Sequence, residues 1–324
     1  MEDDSITEIM VNGWNRVFIE RGGRTFSLEQ KFFFSGKAGG CDSADGSPVQ
    51  QGDKYHAAHC GCKTEKRRAG QCSHCSGGPR WTGVDYSPFP KDPITMEKLI
   101  EMDSLSRDAA QFLEKLVQAG YTILIGEARG QEKLPFLNAL SEYIPKDERV
   151  ITIEDNAELQ IQGIANLVRL ECRQANIEKS QEITIGDLLK TCLRMRPSRI
   201  IVGEVRSKEA AELLQVVNVG NDGSLSTIHA NSCKDMISRL ETMVLMGMEL
   251  PIPVIRRQIV SGFDIFVHLG RMKDKSRKVQ EISEIDRIEA GEVILNPLYV
   301  RTSGLEKTGE MIHREKCRKA GIML

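Results

Sequence analysis

The chain has 324 residues, enough for two domains with separate cores, and its formal net charge is −2. That near-neutral balance, with a pI near 6.4, leaves no electrostatic footprint for nucleic acid, which is not expected as a partner. No apolar run approaches the ~20 residues needed to cross a bilayer, and the acidic start Met1-Glu2-Asp3-Asp4 lacks the pattern of a secretory leader, so the expected location is cytoplasmic.

Residues 1–33 read as folded protein. Apolar positions from Ile6 to Val11 precede a turn signal at Asn12-Gly13, and Val17-Phe18-Ile19 is a strand running into Gly22-Gly23. From Ser35 to Phe89 the character changes: the stretch holds no Leu, Ile or Met, but ten Gly, five of the nine Cys and three of the six His. Neither helical nor strand periodicity can be built from it, and it offers too little apolar surface to offset the entropy of ordering its backbone. Order returns at Pro93. Met96, Leu99 and Ile100, then Ala109, Phe112, Leu113, Leu116 and Val117, predict two short amphipathic helices. Strands are predicted at 121–126, 150–153, 167–172, 199–205, 224–229 and 263–269, and helices at 136–143, 185–195, 208–219, 233–246 and 254–261. Such alternation implies an α/β domain with a largely parallel sheet. Two late strands flank the Ala290-Gly291 turn.

Three polar runs in this half carry chemistry. Arg199-Ile200-Ile201-Val202-Gly203-Glu204-Val205-Arg206 is a buried strand ending in a carboxylate, which can orient or deprotonate a water beside a phosphate or be a solvated strand end. Glu154-Asp155-Asn156-Ala157-Glu158 follows the strand at Val150. There, at the carboxyl end of a strand, ligands bind in open α/β sheets, though a hydrated turn has the same composition. From Gly220 to Asn231 a Gly-rich turn feeds a short strand bearing Thr227, His229 and Asn231, residue types able to sense a γ-phosphate. A lone His is more often a packed core residue, but this one lies in a dense polar run, which favours function.

Together these runs resemble the CpaF-type ATPases of type II and type IV secretion and of pilus assembly. The resemblance is carried by Ile151–Asp155, Asn166–Leu170, Leu193–Pro197, Ile201–Arg206, Asp222–Thr227, Ala230-Asn231 and Ser238–Gly247, and covers roughly residues 1–30 and 90–300. It implies a RecA-like P-loop motor domain over 93–302, preceded by a small α+β domain over 1–92 and followed by a tail over 303–324. It implies Glu204 as the catalytic carboxylate, Glu154, Asp155 and Glu158 as an acidic box, and His229 as part of a histidine box. Arg169, Arg173, Arg194 and Arg196 become candidate phosphate-binding or inter-subunit arginines. By the same resemblance, the cofactor is ATP with Mg²⁺ and the assembly is a homo-hexameric ring. That ring is peripheral at the cytoplasmic membrane, on the inner-membrane platform of a secretion or pilus system, and exports protein or pilin. Asn221 departs from the pattern, which has a histidine there, and so puts part of the γ-phosphate relay in question.

The phosphate-binding loop departs further. The family pattern G-x-x-x-x-G-K-[ST] wraps phosphates with backbone N–H groups, reaches them with its Lys and holds Mg²⁺ with its hydroxyl. This chain has Gly126-Glu127-Ala128-Arg129-Gly130-Gln131-Glu132-Lys133-Leu134-Pro135. The resemblance leaves Gly126, Gly130 and Lys133 as phosphate-binding positions. Glu127 and Glu132 stand in place of the framing glycines, Leu134 lacks the metal-binding hydroxyl, and Pro135 lacks a backbone donor. A loop so built is expected to bind ATP poorly.

The genetic code supplies a reason. Joining the third base of each codon from Gly126 to the first two bases of the next permits Gly-Gly-Thr-Gly-Ser-Gly-Lys-Thr-Thr up to Phe136, an intact loop one frame away. From Phe34, joining the last two bases of each codon to the first base of the next permits an amphipathic helix followed by strands as far as Phe89. Both windows, about 34–89 and 126–135, are therefore expected to be out of frame, with 34–89 disordered as written. The rival reading of the first window is a zinc module in which Cys60, Cys62, Cys72 and Cys75, with His59 and His74 nearby, supply four ligands. The shifted reading displaces it, and no metal ligands are assigned.

Overall fold

Apolar runs bounded by turn residues become strands covered on both faces. The computed structural model describes residues 6–12, 16–21, 24–28, 59–64, 68–73, 84–86, 94–128, 133–173, 182–274 and 276–324. They fall into two units, Met1–Asp92 and Pro93–Leu324.

The described part of the first unit is strand: β1 (Ile6–Asn12), β2 (Arg16–Arg21), β3 (Arg24–Leu28), β4 (His59–Thr64), β5 (Arg68–Ser73) and β6 (Val84–Tyr86). One antiparallel sheet has the order β3-β2-β1-β6, and β4 and β5 pair separately. Ile19, on the strand read from Val17-Phe18-Ile19, is buried. β4, β5 and β6 lie in the stretch whose side chains predict no strand. Their ladders are made by backbone groups, which Gly, Cys and Lys supply as well as Leu does. Cys60 stands opposite Cys72 in the β4–β5 register, while His74 and Cys75 lie outside the described residues. Among the described residues no group of three His, Cys, Asp or Glu is placed to hold a metal.

The second unit contains α1 (Met96–Glu101), α2 (Arg107–Gln118), β7 (Ile123–Glu127), α3 (Lys133–Ser141), β8 (Arg149–Glu154), β9 (Asn166–Glu171), α4 (Ile185–Cys192), β10 (Arg199–Val205), α5 (Ala210–Asn218), β11 (Leu225–His229), α6 (Cys233–Gly247), α7 (Ile252–Gly262), β12 (Ile265–Arg271), β13 (Arg277–Glu289), β14 (Glu292–Arg301), β15 (Leu305–Lys307) and α8 (Glu315–Ala320). Its sheet has the order β15-β14-β13-β12-β7-β11-β10-β8-β9. Pairs from β12 to β9 are parallel, and β13, β14 and β15 add antiparallel to one side. This is the α/β architecture expected of a RecA-like motor.

Alternate residues of the parallel strands face two cores. Ile123, Ile125, Ile201, Leu225, Ile265 and Val267 pack with α1, α2 and α3 on one face. Leu124, Ile151, Ile200, Val202, Ile228 and Phe266 pack with α4 to α7 on the other. Burial on both faces is why these strands read as nearly continuous apolar runs. Side-chain caps fix the helix starts: Ser106 accepts from the Ala109 N–H, Thr184 and Asp187 form a capping box, and Ser232 accepts from the Asp235 N–H.

Residues 303–324, read from the sequence as a tail, belong to this body. β15 extends the sheet, and Leu305, Met311 and Cys317 are buried in the first core. The Tyr121 hydroxyl donates to the His313 carbonyl at 2.8 Å. The segment lacks sequence periodicity because it supplies isolated anchors and one short helix.

Arg199, 2% exposed, pins the amino-terminal edge of the sheet. It binds Glu148 through Nε and Nη2 at 2.5 and 2.8 Å and the Val117 carbonyl through Nη1 at 2.5 Å. Gly223 has φ +75°, and a Cβ there would lie 2.8 Å from Arg199 Nη1. Gly223→Ala is expected to cost about 1–3 kcal/mol from backbone strain alone, with displacement of Arg199 in addition. An unchanged thermal midpoint would contradict this.

Candidate active site

Parallel strands bring their carboxyl ends to one edge. Glu127, Glu154 and His229 are the last residues of β7, β8 and β11, and Glu204 is next to last in β10. The registers Val205↔Ile228 and His229↔Glu127 set these ends side by side. Lys133, the first residue of α3, sits at the same edge because α3 follows β7.

The side chains close into one charged cluster. Lys133 Nζ lies 2.6 Å from Glu204 Oε1, with the lysine side chain 2% and the glutamate 10% exposed. His229 Nε2 is 2.9 Å from the same oxygen and 3.2 Å from Lys133 Nζ. His229 Nδ1 lies 3.1 Å from the Glu127 carbonyl, which can only accept, so Nδ1 carries a proton. Nε2 then accepts from Lys133 when the ring is neutral and donates to Glu204 when it is charged. Arg206 Nη2 donates to Glu204 Oε2 at 2.9 Å and Nη1 lies 3.5 Å from Asp155 Oδ2. Burial opposes ionisation of Glu204, but the hydrogen bonds from His229 and Arg206 and the charge of Lys133 prevail and hold its carboxyl far below the usual range. Burial lowers the pKa of Lys133, against the attraction of Glu204.

Glu154 braces the turn that follows β8. Its Oε2 accepts the N–H groups of Glu158 and Leu159 at 2.8 and 2.7 Å. Gly203 leaves room for it, since a Cβ there would lie 3.3 Å from Glu154 Cγ. Burial, and then the charge of Glu154, pushes the Glu158 carboxyl up to about 7. Between that value and the ordinary one near 4.5, the folded protein binds a proton that the unfolded chain does not. Stability therefore rises as pH falls through this window. Melting curves from about pH 8 to about pH 5 are expected to show that rise, and Glu158→Gln to flatten it. Equal slopes for both proteins would contradict the assignment.

Other candidates stand elsewhere. Thr227 is fully buried and donates to the Gly203 carbonyl at 2.5 Å, tying β11 to β10. Asn231 binds the Asp235 carboxylate at the start of α6. Asn221 lies before β11, at the opposite edge from His229, where its amide donates to the Val216 carbonyl at 2.9 Å. The substitution in the histidine pattern therefore falls on a turn-holding residue. Arg194 and Arg196 are exposed and precede β10, again at the opposite edge. Arg169, on outer strand β9, is exposed with Nη2 3.4 Å from the Ile161 carbonyl, and Arg173 follows that strand in an isolated bridge to Ile183. Within one chain Arg194 and Arg196 stand away from the Lys133–Glu204 cluster. Gly126 is packed beneath α6, since a Cβ there would lie 2.7 Å from Met236 Sδ. Gly130 and Glu132 lie outside the described residues. Leu134 packs against the first core.

Residues 88–286 match the family described as Type II/IV secretion system protein. The chain belongs to this family. This secretion-family chain is 37% identical over 202 residues to the type IV secretion system protein VirB11 of Brucella suis, covering 60% of this chain and 54% of that protein. It is 35% identical over 184 residues to the type IV secretion system protein PtlH of Bordetella pertussis, covering 55% of this chain and 54% of the other. The chain thus spans about half the length of the curated relatives it matches. The crystal structure of the VirB11 ATPase from the Brucella suis type IV secretion system, in complex with sulphate, superposes with a TM-score of 0.50 at 26% identity, over 87% of this chain and 93% of that one. The Legionella pneumophila ATPase DotB shares the fold, with a TM-score of 0.56 at 14% identity over 87% of this chain and 77% of that one.

Reading the sequence alone missed two arginines of this secretion-family site. Arg206 stands in the Glu204 motif and could have been singled out as its charge partner. Arg277, 3.4 Å from Glu127 Oε1 through Nε, carries no motif signal, because only the antiparallel return of β13 brings it to the edge.

Proposed function

We propose that the gene encodes the motor subunit of a type II or type IV secretion or pilus-assembly system, a ring ATPase that drives export of protein or pilin. The observation that supports it best is the convergence of Lys133, Glu204 and His229, with the Lys133–Glu204 pair at 2.6 Å. It combines a phosphate-reaching cation, a deeply acidic carboxylate and a histidine at the ligand-binding edge of the sheet. Glu204 would polarise the attacking water, His229 would stand beside it in contact with its carboxylate, and Lys133 would be drawn from Glu204 towards phosphate. Relatives named as secretion proteins, and the sulphate-bound VirB11 ATPase, favour the same reading.

For the chain as written, we infer a non-hydrolysing subunit. Leu134 offers no hydroxyl for Mg²⁺, Pro135 offers no N–H, and Glu127 sets a carboxylate against the Lys133 N–H at 3.3 Å. These residues do not fit a magnesium-bound triphosphate, and the out-of-frame window at 126–135 accounts for them. The ring is testable separately from turnover. Native mass spectrometry is expected to show a six-fold multiple of the 36.2 kDa chain, and a monomer at every concentration would overturn the ring. Within that ring, Arg169, Arg173, Arg194 and Arg196 are proposed to serve neighbouring subunits. The ring is proposed to sit at the cytoplasmic face of a membrane, on the secretion platform.

A further inference from the structure

Glu127, whose side chain is 1% exposed, ends β7 with its carboxylate between two donors. Oε2 accepts the Lys133 N–H at 3.3 Å, in the first turn of α3, and Oε1 lies 3.4 Å from Arg277 Nε. Arg277 arrives there through topology. β13 runs antiparallel to β12, so its first residue returns to the edge where the parallel strands end. Leu269 of β12 pairs with both Glu127 and Val279. Arg277, two positions before Val279, therefore stands beyond the end of β7 on the ligand side. Its side chain is 20% exposed, so the guanidinium reaches solvent from a mostly buried stem.

A carboxylate held by a first-turn helix N–H and a guanidinium occupies a site whose chemistry selects oxyanions. We propose that Arg277 is an oxyanion-binding residue of this edge, and that Glu127 is a tethered carboxylate standing where a polyphosphate oxygen would bind. The inference rests on the reading of this edge as a phosphate site. It adds a binding residue from the antiparallel part of the sheet and a built-in competitor. The ligand class is a polyphosphate chain, free or borne by a nucleotide. Where the shifted frame puts glycine in place of Glu127, no tethered carboxylate would compete with that chain.

Isothermal titration of the full chain with inorganic tripolyphosphate, and separately with ADP, tests the proposal. Glu127→Gln keeps an acceptor for the Lys133 N–H and removes the competing charge, and is expected to tighten tripolyphosphate binding about tenfold or more. Adding Arg277→Ala is expected to cancel that gain. Unchanged affinity in Glu127→Gln overturns the competitor, and a gain that survives Arg277→Ala overturns the role of Arg277. A gain for ADP as well supports a nucleotide-borne chain, and a gain for tripolyphosphate alone supports a free one. If Glu127→Gln shows no cooperative melting transition, Glu127→Ser makes the same comparison. Binding, not turnover, is read, so an inactive motor leaves the test intact. The motor reading fails instead if, with the intact phosphate loop restored over 127–135, turnover is insensitive to Glu204→Gln.

Discussion

Exchanging residues 127–135 for Gly-Gly-Thr-Gly-Ser-Gly-Lys-Thr-Thr is expected to raise ATP turnover by about a hundredfold or more over the unmodified chain. The exchange removes Glu127 and Glu132, whose charges oppose a polyphosphate. It also supplies glycines whose N–H groups can wrap the phosphates and a hydroxyl for Mg²⁺ in place of Leu134. The rest of the site is already assembled, because Glu204 and His229 are held by β10 and β11 and not by the loop. On the exchanged background, Glu204→Gln is expected to lower turnover by ~10²–10⁴-fold, the range for loss of a positioned base. Phosphate release measures both. A loop exchange without effect would show that the loop is not what silences the chain, and full activity in Glu204→Gln would remove the carboxylate from the chemistry.

In the unmodified chain the same carboxylate is a structural charge. Glu204→Gln leaves Lys133, 2% exposed, without its 2.6 Å partner, and the expected cost is about 3–5 kcal/mol, as for breaking a buried pair from one side. Because folding depresses the Glu204 pKa, its stabilisation is fully present above the unfolded carboxylate value of about 4.3 and is lost as pH falls through the much lower folded value. The unmodified protein is therefore expected to lose stability steeply below about pH 4, and Glu204→Gln to lose less over the same range. Parallel acid profiles with equal thermal midpoints would contradict the ion-pair account.

The motor half was legible because its physics is local and repetitive. β10 is apolar from Ile200 to Val202 since both sheet faces are covered, and it carries its carboxylate at the end that parallel topology sends to the site. Glu204, His229 and Glu154 could be named from such strand ends, and Lys133 from the resemblance of its loop to the family's phosphate-binding pattern. What escaped depends on how distant segments meet. Arg277 reaches Glu127 only through the reversal of β13, and only the placed turn shows that Asn221, the departure from the histidine pattern, stands at the far edge. The backbone ladders of β4 and β5 leave no side-chain pattern, and the anchors of 303–324 are too sparse to show one. Arg194 and Arg196, drawn to the site by resemblance, lie at the wrong edge to act within their own chain.

The nucleotide sequence of the gene from codon 30 to codon 136 decides whether the two windows are out of frame. Single-base differences are expected that restore Gly-Gly-Thr-Gly-Ser-Gly-Lys-Thr-Thr before Phe136 and a helix-then-strand reading from Phe34 to Phe89. In-frame codons for Glu127, Glu132, Leu134 and Pro135, with the window from 34 to 89 unchanged, would contradict that expectation and leave a subunit that holds the motor fold without hydrolysing ATP.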